Sequence, residues 1–321
     1  MIETASRGPR LSVVLATDAY DTIRPVISAL RRQGSVDEIE PVIVLPASAE
    51  GGIRREDLDR FRHVRIVPLD VVERLAPARA AGVRAASAPI VFIGETHTYP
   101  QPGWAEALLA AFEEPWTAVV PAIGNANPTG AVSWAAYLFD YGNWGPNRPA
   151  GEMPDPLIYN TAYRRKALLI FGDQLADALD PNEEALWPRF NAMGHRAAFA
   201  PQARILHLNV ARLRWLVSEK FYVGVVLGTR RARRWAWPRR LLYIVASPLI
   251  PFVLLVRIVR GTRSSLPRRL PAATFPLLLV GAIAKVVGEV IGYLGVRLPS
   301  LERRLTDIEI HKVRYAGRGS R

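Results

Sequence analysis

A carboxylate and an imidazole, Glu95 and His97, stand one residue apart directly after an apolar run that reads as a buried strand, 89–93. Side chains two apart on an extended backbone point the same way, so the pair could converge on one cation or one phosphate. In open α/β sheets, ligands bind outside the carboxyl ends of strands, and the pair falls at such an end. Two further groups could do chemistry. Glu183 and Glu184 adjoin in Pro-Asn-Glu-Glu, and His207 closes the strand-like run ARILH. His195 follows Gly194 at a turn and reads as structural, while His63 and His311 sit in polar surroundings and carry no signal.

The elements that must position these groups alternate. Short apolar runs at 11–16 (LSVVLA), 41–45 (PVIVL), 64–67 (VRIV), 89–93 and 117–121 (TAVVP) have strand length. Helical spacing appears at 23–32, with Ile23, Val26, Ile27 and Leu30 on one face, at 74–86, and at 104–113. Strands alternating with helices predict a parallel sheet in a doubly wound α/β domain. From 124 to 156 the periodicity disappears into a stretch rich in Gly, Pro and Asn. It contains Trp134, Tyr137, Tyr141 and Trp144, and loops of this length are usually functional or disordered. No internal repeat is evident.

The stretch from Arg79 to Trp104, RAAGVRAASAPIVFIGETHTYPQPGW, resembles the family-2 glycosyltransferases, inverting enzymes of the GT-A fold. Their pattern is roughly R-N-x-G-x-x-x-A, a strand, D-x-D, then P and W. Arg79, Gly82, Ala86, Pro100 and Trp104 fall into it without a gap, and the D-x-D position is filled by Glu95-Thr96-His97. The resemblance implies a GT-A domain, a Rossmann-like, mainly parallel sheet, and a nucleotide-diphosphate sugar as donor. It implies that the triplet holds a divalent metal against the diphosphate. Imidazole suits the later first-row metals, which shifts the expectation toward Mn²⁺ rather than Mg²⁺, with a metal-independent site left open. His207, which ends a P-x-A-x-x-x-H segment like that of the family, is implied to close the metal shell or contact the diphosphate. Asn160, Tyr163, Arg164 and Arg165 fill a family segment near the donor sugar and pyrophosphate, and 124–156 reads as an acceptor-side loop.

The resemblance also implies the base. Inverting transfer is one in-line displacement in which a carboxylate takes the proton of the acceptor hydroxyl. Glu183 falls where the family keeps the Asp of its E-D pair, and Glu184 is the alternative. The same residues read as a helix start, where carboxylates are stabilised by the helix dipole whatever the chemistry. The chain departs from the family at its nucleotide pocket. The usual V-D-D-G-S is Val44-Leu45-Pro46-Ala47-Ser48, without a carboxylate, and P-T-Y-N becomes Ala16-Thr17-Asp18-Ala19. Thr17 and Asp18 become donor-binding candidates, and either Asp18 or Asp21 takes the nucleobase contact.

Composition bounds the rest. The 321 residues suffice for one large domain and an appendage. The absence of cysteine rules out a disulfide framework and Cys-based metal sites. The first residues lack the apolar run of a secretory signal. The net charge of +13 is uneven. Arg230, Arg231, Arg233, Arg234, Arg239 and Arg240 precede the uncharged run 241–256, and Arg257, Arg260, Arg263, Arg268 and Arg269 follow it. Arginines bracketing apolar stretches predict attraction to anionic lipid headgroups. No nucleic-acid motif is present, so nucleic acid is not expected as a partner.

The run 241–256 would span about 24 Å as a helix against a hydrocarbon core of about 30 Å, and Pro248 and Pro251 would bend it. A second apolar run, 270–284, is followed by Lys285 and Glu289 at i, i+4 spacing. A spanning hairpin would carry Arg260, Arg263, Arg268 and Arg269 across the membrane, which the positive-inside rule disfavours. Re-entrant or interfacial helices on the cytoplasmic face are therefore expected, with two spanning helices, or a soluble helical pair buried in a homo-oligomer, as alternatives. The organisation expected is a GT-A domain at 1–236, a membrane-associated helical segment at 237–300 and a basic tail at 301–321. The activity expected is sugar transfer to a membrane-borne acceptor, polyprenyl- or other lipid-linked, or to a glycan. The alternative is a non-catalytic nucleotide-sugar-binding or scaffold protein at the membrane.

Overall fold

A computed structural model describes residues 8–154, 156–265, 270–296, 298 and 300–317. Arg268 and Arg269 of the charge argument lie outside the described residues, as do 318–321 of the expected tail. In chain order the elements are β1 (Leu11–Ala16), α1 (Tyr20–Leu30), β2 (Ile39–Pro46), β3 (Arg65–Leu69), α2 (Leu75–Ala85), β4 (Ile90–Ile93), β5 (Thr98–Pro100), α3 (Trp104–Ala111), β6 (Ala118–Asn125), α4 (Ala131–Asp140), β7 (Gly151–Glu152), β8 (Thr161–Arg164), α5 (Arg165–Leu169), α6 (Leu175–Ala178), α7 (Leu186–Ala192) and β9 (Ala197–His207). Six helices complete the chain: α8 (Leu213–Arg234), α9 (Trp237–Ala246), α10 (Ile250–Thr262), α11 (Thr274–Tyr293), α12 (Leu301–Ile310) and α13 (Lys312–Tyr315).

The strands form a mixed sheet in the order β3-β2-β1-β4-β8-β6-β9-β5, with β7 paired to β9. The first four run parallel, and β8 enters antiparallel between β4 and β6. β1 and β4 are buried at every residue, as continuous apolar runs must be when both faces of a sheet are covered. α2 lies close over β1 and β2 because Gly82 permits it. A Cβ at that position would come within 2.9 Å of Val44 Cγ2 and closer still to Val14.

One charge is built into this sheet. Glu40 of β2 is buried, and its carboxylate accepts from Ser12 Oγ on β1, from Ser87 N at 2.8 Å and from Ser87 Oγ at 2.8 Å. Burial alone would raise its pKa, but these hydrogen bonds, with Arg65 3.8 Å away, outweigh it and hold the carboxyl below the ordinary value. Glu40 thereby joins β1, β2 and the loop before β4.

The chain divides into two compact units, residues 1–122 with 149–206, and 123–148 with 207–321. The expected boundary stands at 236, whereas residues 207–236 and an insert containing α4 fall in the second compact unit. That insert falls within the stretch expected to be a long loop, where ten residues form α4 and carry Trp134 and Tyr137. Within the second unit, α8 and α11 pack at short range along Gly224 and Gly228 on one helix and Gly288 and Gly292 on the other. A Cβ at any of the four would collide with the facing backbone, which is the small-xxx-small packing device. Glu289, 4% exposed, pairs with Lys285 on its own helix, with Arg231 of α8 at 3.7 Å, and accepts from Tyr293 Oη at 3.2 Å.

The structure bears on two further expectations. Residues 301–317 are not a tail. Leu301 packs on Val225 and Val226, and buried Lys312 donates to Glu219 at 2.7 Å and Glu309 at 2.9 Å, so α12 and α13 are docked on α8. The run 241–256 is divided between α9 and α10, bent by 78° where Pro248 and Pro251 stand. α11, with 20 residues, is long and apolar enough to cross a membrane.

The depressed pKa of Glu40 has a sign. Its stabilising contribution is full above the ordinary glutamate value of 4.5 and is lost as pH falls below it. Glu40→Gln is expected to lower stability by roughly 1.5–3 kcal/mol at neutral pH. The gap from the unaltered chain should narrow in thermal melts taken toward pH 3.

Candidate metal and donor site

The C-terminal edge of the parallel strands carries the site. β4 ends at Ile93, Gly94 N donates to Val14 O at 3.0 Å, and the chain then turns at Thr96 and His97 before β5. Glu95 and His97 do converge, with Glu95 Oε2 3.8 Å from His97 Nε2. They do so through a turn and not along an extended strand, so the pleat argument is corrected while its outcome stands. Both are buried, Glu95 5% and His97 1% exposed.

Each side chain is held. Asn160 Nδ2 donates to Glu95 Oε2 at 2.6 Å, and Thr98 Oγ1 donates to the same oxygen at 3.4 Å. Thr96 Oγ1 lies 3.1 Å from His97 Nδ1. Asn160 is brought there by β8, which runs antiparallel to β4 with Thr161 opposite Ile93. Its own N–H donates to Ile93 O at 2.7 Å, and its φ of 52° is left-handed. Asn tolerates that conformation better than most residues. His207, the last residue of β9, is 2% exposed. Its Nδ1 lies 2.9 Å from Asn209 Oδ1, and its ring centroid lies 4.1 Å from that of Tyr141. Glu95 and His97 belong to the first unit and His207 opens a segment of the second. A carboxylate and an imidazole, each backed by a second polar group, suit a divalent first-row ion.

Beside this cluster lies an unusual cation. Arg79 of α2 is 3% exposed, its Cζ 3.4 Å from the centroid of the Tyr159 ring. Its Nε and Nη1 have no hydrogen-bond partner among the described residues, and neither has Asn160 Oδ1. Buried donors without partners are costly, and a guanidinium suits phosphate oxygens. Burial pushes the Tyr159 phenol up to about 12, against the opposing charge of Arg79. Its hydroxyl therefore stays protonated and donates to Leu179 O at 2.6 Å. Thr17 and Asp18 follow β1 at the same edge of the sheet. Thr17 is buried, and its hydroxyl donates to Ala19 O at 2.8 Å, which shapes the turn into α1. Asp21 is exposed and pairs with Arg54 at 3.4 Å.

Three expected site residues are placed differently. Arg164 lies opposite Ile90, about 10 Å along the strand from Ile93 at 3.3 Å per residue, and so at the far end of β4 from Glu95. It donates to the carbonyls of Trp116 at 2.8 Å, Phe112 at 3.0 Å and Glu114 at 2.9 Å, so its guanidinium ties down that turn. Glu183 and Glu184 do not begin a helix. Residues 181–183 form a turn, Glu184 has a φ of 49°, and α7 starts at Leu186, so the dipole argument does not apply to them. The anchor of that turn is Asp180, 5% exposed. It accepts from Arg74 at 2.8 Å and from Asn182 N and Nδ2, both at 3.0 Å. The roles of Thr98, Tyr159, Asp180, Asn209 and Tyr141 carried no local sequence signal.

Residues 12–170 match the family model described as Glycosyl transferase family 2. That segment, just under half of the chain, is similar to the family. That match holds Thr17, Arg79, the Glu95-Thr96-His97 triplet and Asn160, and it ends before Glu183 and His207. Among solved structures, the chain is similar to GalNAc-T7 with UDP, GalNAc and Mn²⁺, at 16% identity and TM-score 0.45, covering 62% of this chain and 43% of that one. It therefore spans less than half the length of that protein. It is also similar to the mannosyltransferase PcManGT from Pyrobaculum calidifontis with GDP-Man and Mn²⁺, at 16% identity and TM-score 0.45, covering 94% and 79%. A third is S. aureus TarS 1–349 with UDP, at 13% identity and TM-score 0.48, covering 89% and 90%. No curated protein matches the chain.

The two duties of Asn160 can be separated. Asn160→Ala removes the hydrogen bond to Glu95 and strains the left-handed backbone. It is expected to weaken Mn²⁺ binding about 10–100-fold and to destabilise the fold by roughly 1–3 kcal/mol. Asn160→Gly should recover much of the stability but not the metal affinity, as calorimetric titration beside thermal melts would read.

Proposed function

We propose that this protein is an inverting, divalent-metal-assisted glycosyltransferase. It moves a sugar from a nucleotide-diphosphate donor to a lipid-linked, membrane-borne acceptor. The observation that carries the reading is the buried Glu95–His97 pair at the C-terminal edge of the parallel strands, within the segment similar to family-2 glycosyltransferases, together with buried Arg79. Glu95, His97 and His207 would hold the ion, Mn²⁺ in preference to Mg²⁺ on the strength of the two imidazoles. When bound, such an ion supplies Lewis-acid neutralisation of charge on the departing diphosphate.

The chain's own residues do the rest. Arg79, buried and already oriented by Tyr159, offers Nε and Nη1 to a phosphate oxygen without having to be ordered first. Asn160 fixes the Glu95 carboxylate. Thr17 and Asp18, at the end of β1, face the donor's nucleoside. Glu183, half-buried, is the base, and Glu184, exposed, is the alternative. The acceptor oxygen bonds to the anomeric carbon as the bond to the diphosphate breaks, and the hydroxyl proton passes to the carboxylate.

The second unit supplies the reason for a lipid acceptor. α9 and α10 expose Leu241, Leu242, Val245, Leu249, Phe252, Val253 and Val256, bracketed by Arg239 and Arg257. Together with the 78° bend, this supports interfacial or re-entrant helices on the cytoplasmic face of a membrane with anionic lipids, in preference to two spanning helices. Self-association through the same helices is part of the proposal, and nucleic acid is not.

Two experiments test it. Glu183→Gln is expected to cut turnover by at least 10²-fold while the donor still raises the melting temperature; full activity in that variant removes Glu183 from the mechanism. Absence of both transfer and donor hydrolysis with Mn²⁺ across a panel of nucleotide sugars would leave the scaffold reading. On vesicles, the chain is expected to co-sediment with anionic but not neutral lipid and to be released as salt rises. Equal binding to both would contradict the arginine argument.

A further inference from the structure

His207 has two ring nitrogens, and only one can serve as a ligand atom. Nδ1 lies 2.9 Å from Asn209 Oδ1. Which nitrogen carries the proton depends on which way the Asn209 amide faces, and the second unit decides that with groups whose roles are unambiguous. Asn209 Nδ2 lies 3.0 Å from the His207 main-chain carbonyl, which can only accept. It also lies 3.0 Å from Asn125 Oδ1. That atom must be an oxygen, because it accepts from the main-chain N–H of Asn127 at 3.1 Å; it also accepts from Ser133 Oγ at 3.1 Å. Asn127 clasps the backbone of Asn209 from both sides. It accepts from Asn209 N at 2.9 Å and donates from Nδ2 to Asn209 O at 2.8 Å. Ser133, Asn127 and Asn209 are all buried.

The amide of Asn209 thus has one orientation, with its nitrogen used twice and its oxygen facing the imidazole. An amide oxygen only accepts. We propose that Asn209 is a positioning residue for His207: its oxygen accepts a hydrogen bond from Nδ1–H and so fixes the tautomer in which Nε2 carries the lone pair. Tyr141, its ring tilted by 40° against the imidazole with centroids 4.1 Å apart, limits rotation of the His207 ring. The contrast with His97 is informative. Its Nδ1 meets a threonine hydroxyl, which donates or accepts as required and imposes no tautomer. The hydrogen bonds around Asn209 thus set the His207 tautomer before any ion arrives.

The metal-affinity part of this inference rests on the proposed metal site; the tautomer part does not. The test is ¹⁵N NMR of the full chain in detergent, labelled at histidine and free of metal, with the His207 signals assigned by their loss in His207→Gln. The neutral ring is expected to carry its proton on Nδ1, the reverse of the tautomer a free imidazole side chain favours. A proton on Nε2 overturns the proposal without recourse to any further variant. Asn209→Leu is expected to abolish the Nδ1–H signature and to weaken Mn²⁺ binding about 10–100-fold. Asn209→Asp keeps an acceptor facing the imidazole but loses both amide donations, so it should retain the Nδ1–H signature and more of the Mn²⁺ affinity than Asn209→Leu, at a lower melting temperature. Equal loss of Mn²⁺ affinity in both variants, in step with their melting temperatures, would show a merely structural role and overturn the proposal. If the unaltered chain binds no Mn²⁺ while His207 holds its proton on Nδ1, the positioning inference stands and the metal reading is the one that fails.

Discussion

A carboxylate removed from water must be compensated where it lies, and the arrangement around Glu95 follows from that requirement. Glu95 leaves the end of a fully buried strand and remains inside the protein. Its compensation comes from Asn160, which reaches it because β8 enters antiparallel beside β4 and bends through a left-handed residue at the right level. His97 turns back onto the same oxygen. The buried Glu95–His97 pair therefore depends on one topological choice, the antiparallel strand inserted beside a parallel sheet.

The second unit solves the same problem differently. Its helices bury Glu219, Lys220, Glu289 and Lys312, and each finds an opposite charge. Glu219 is held near pKa 2: burial opposes ionisation, but Lys220 and Lys312 overcome it. Close approach of α8 and α11 through facing glycines brings Arg231 within reach of Glu289, which two bulkier helix faces would prevent. Charge is thus neutralised inside the unit, while arginines and apolar side chains of α9 and α10 remain on its surface.

Much of the first unit was legible in the sequence. β1, β2 and β4 are continuous apolar runs, and the Glu95-Thr96-His97 triplet declares itself by type and spacing at a strand end. What was not legible depended on non-local pairing. Arg164 sits in a donor-like motif, but the direction of β8 carries it to the wrong end of β4. α4 was hidden because its alanines and aromatics lie between Gly-, Pro- and Asn-rich segments that interrupt any periodicity. Pro181 to Glu184 has the composition of a helix N-terminus, yet the turn anchored by Asp180 delays the helix to Leu186. Asn209 acquires meaning only from Asn125 and Asn127, more than eighty residues earlier.

The central claim is that Glu95, His97 and His207 together hold one divalent ion. Pulsed electron paramagnetic resonance on the Mn²⁺-loaded chain tests it most directly, because it counts the nitrogens bound to the metal. The account predicts hyperfine coupling to two imidazole nitrogens, one lost in His97→Ala and the other in His207→Ala. Mn²⁺ coupled to water and carboxylate alone, with a spectrum unchanged by either substitution, would contradict it.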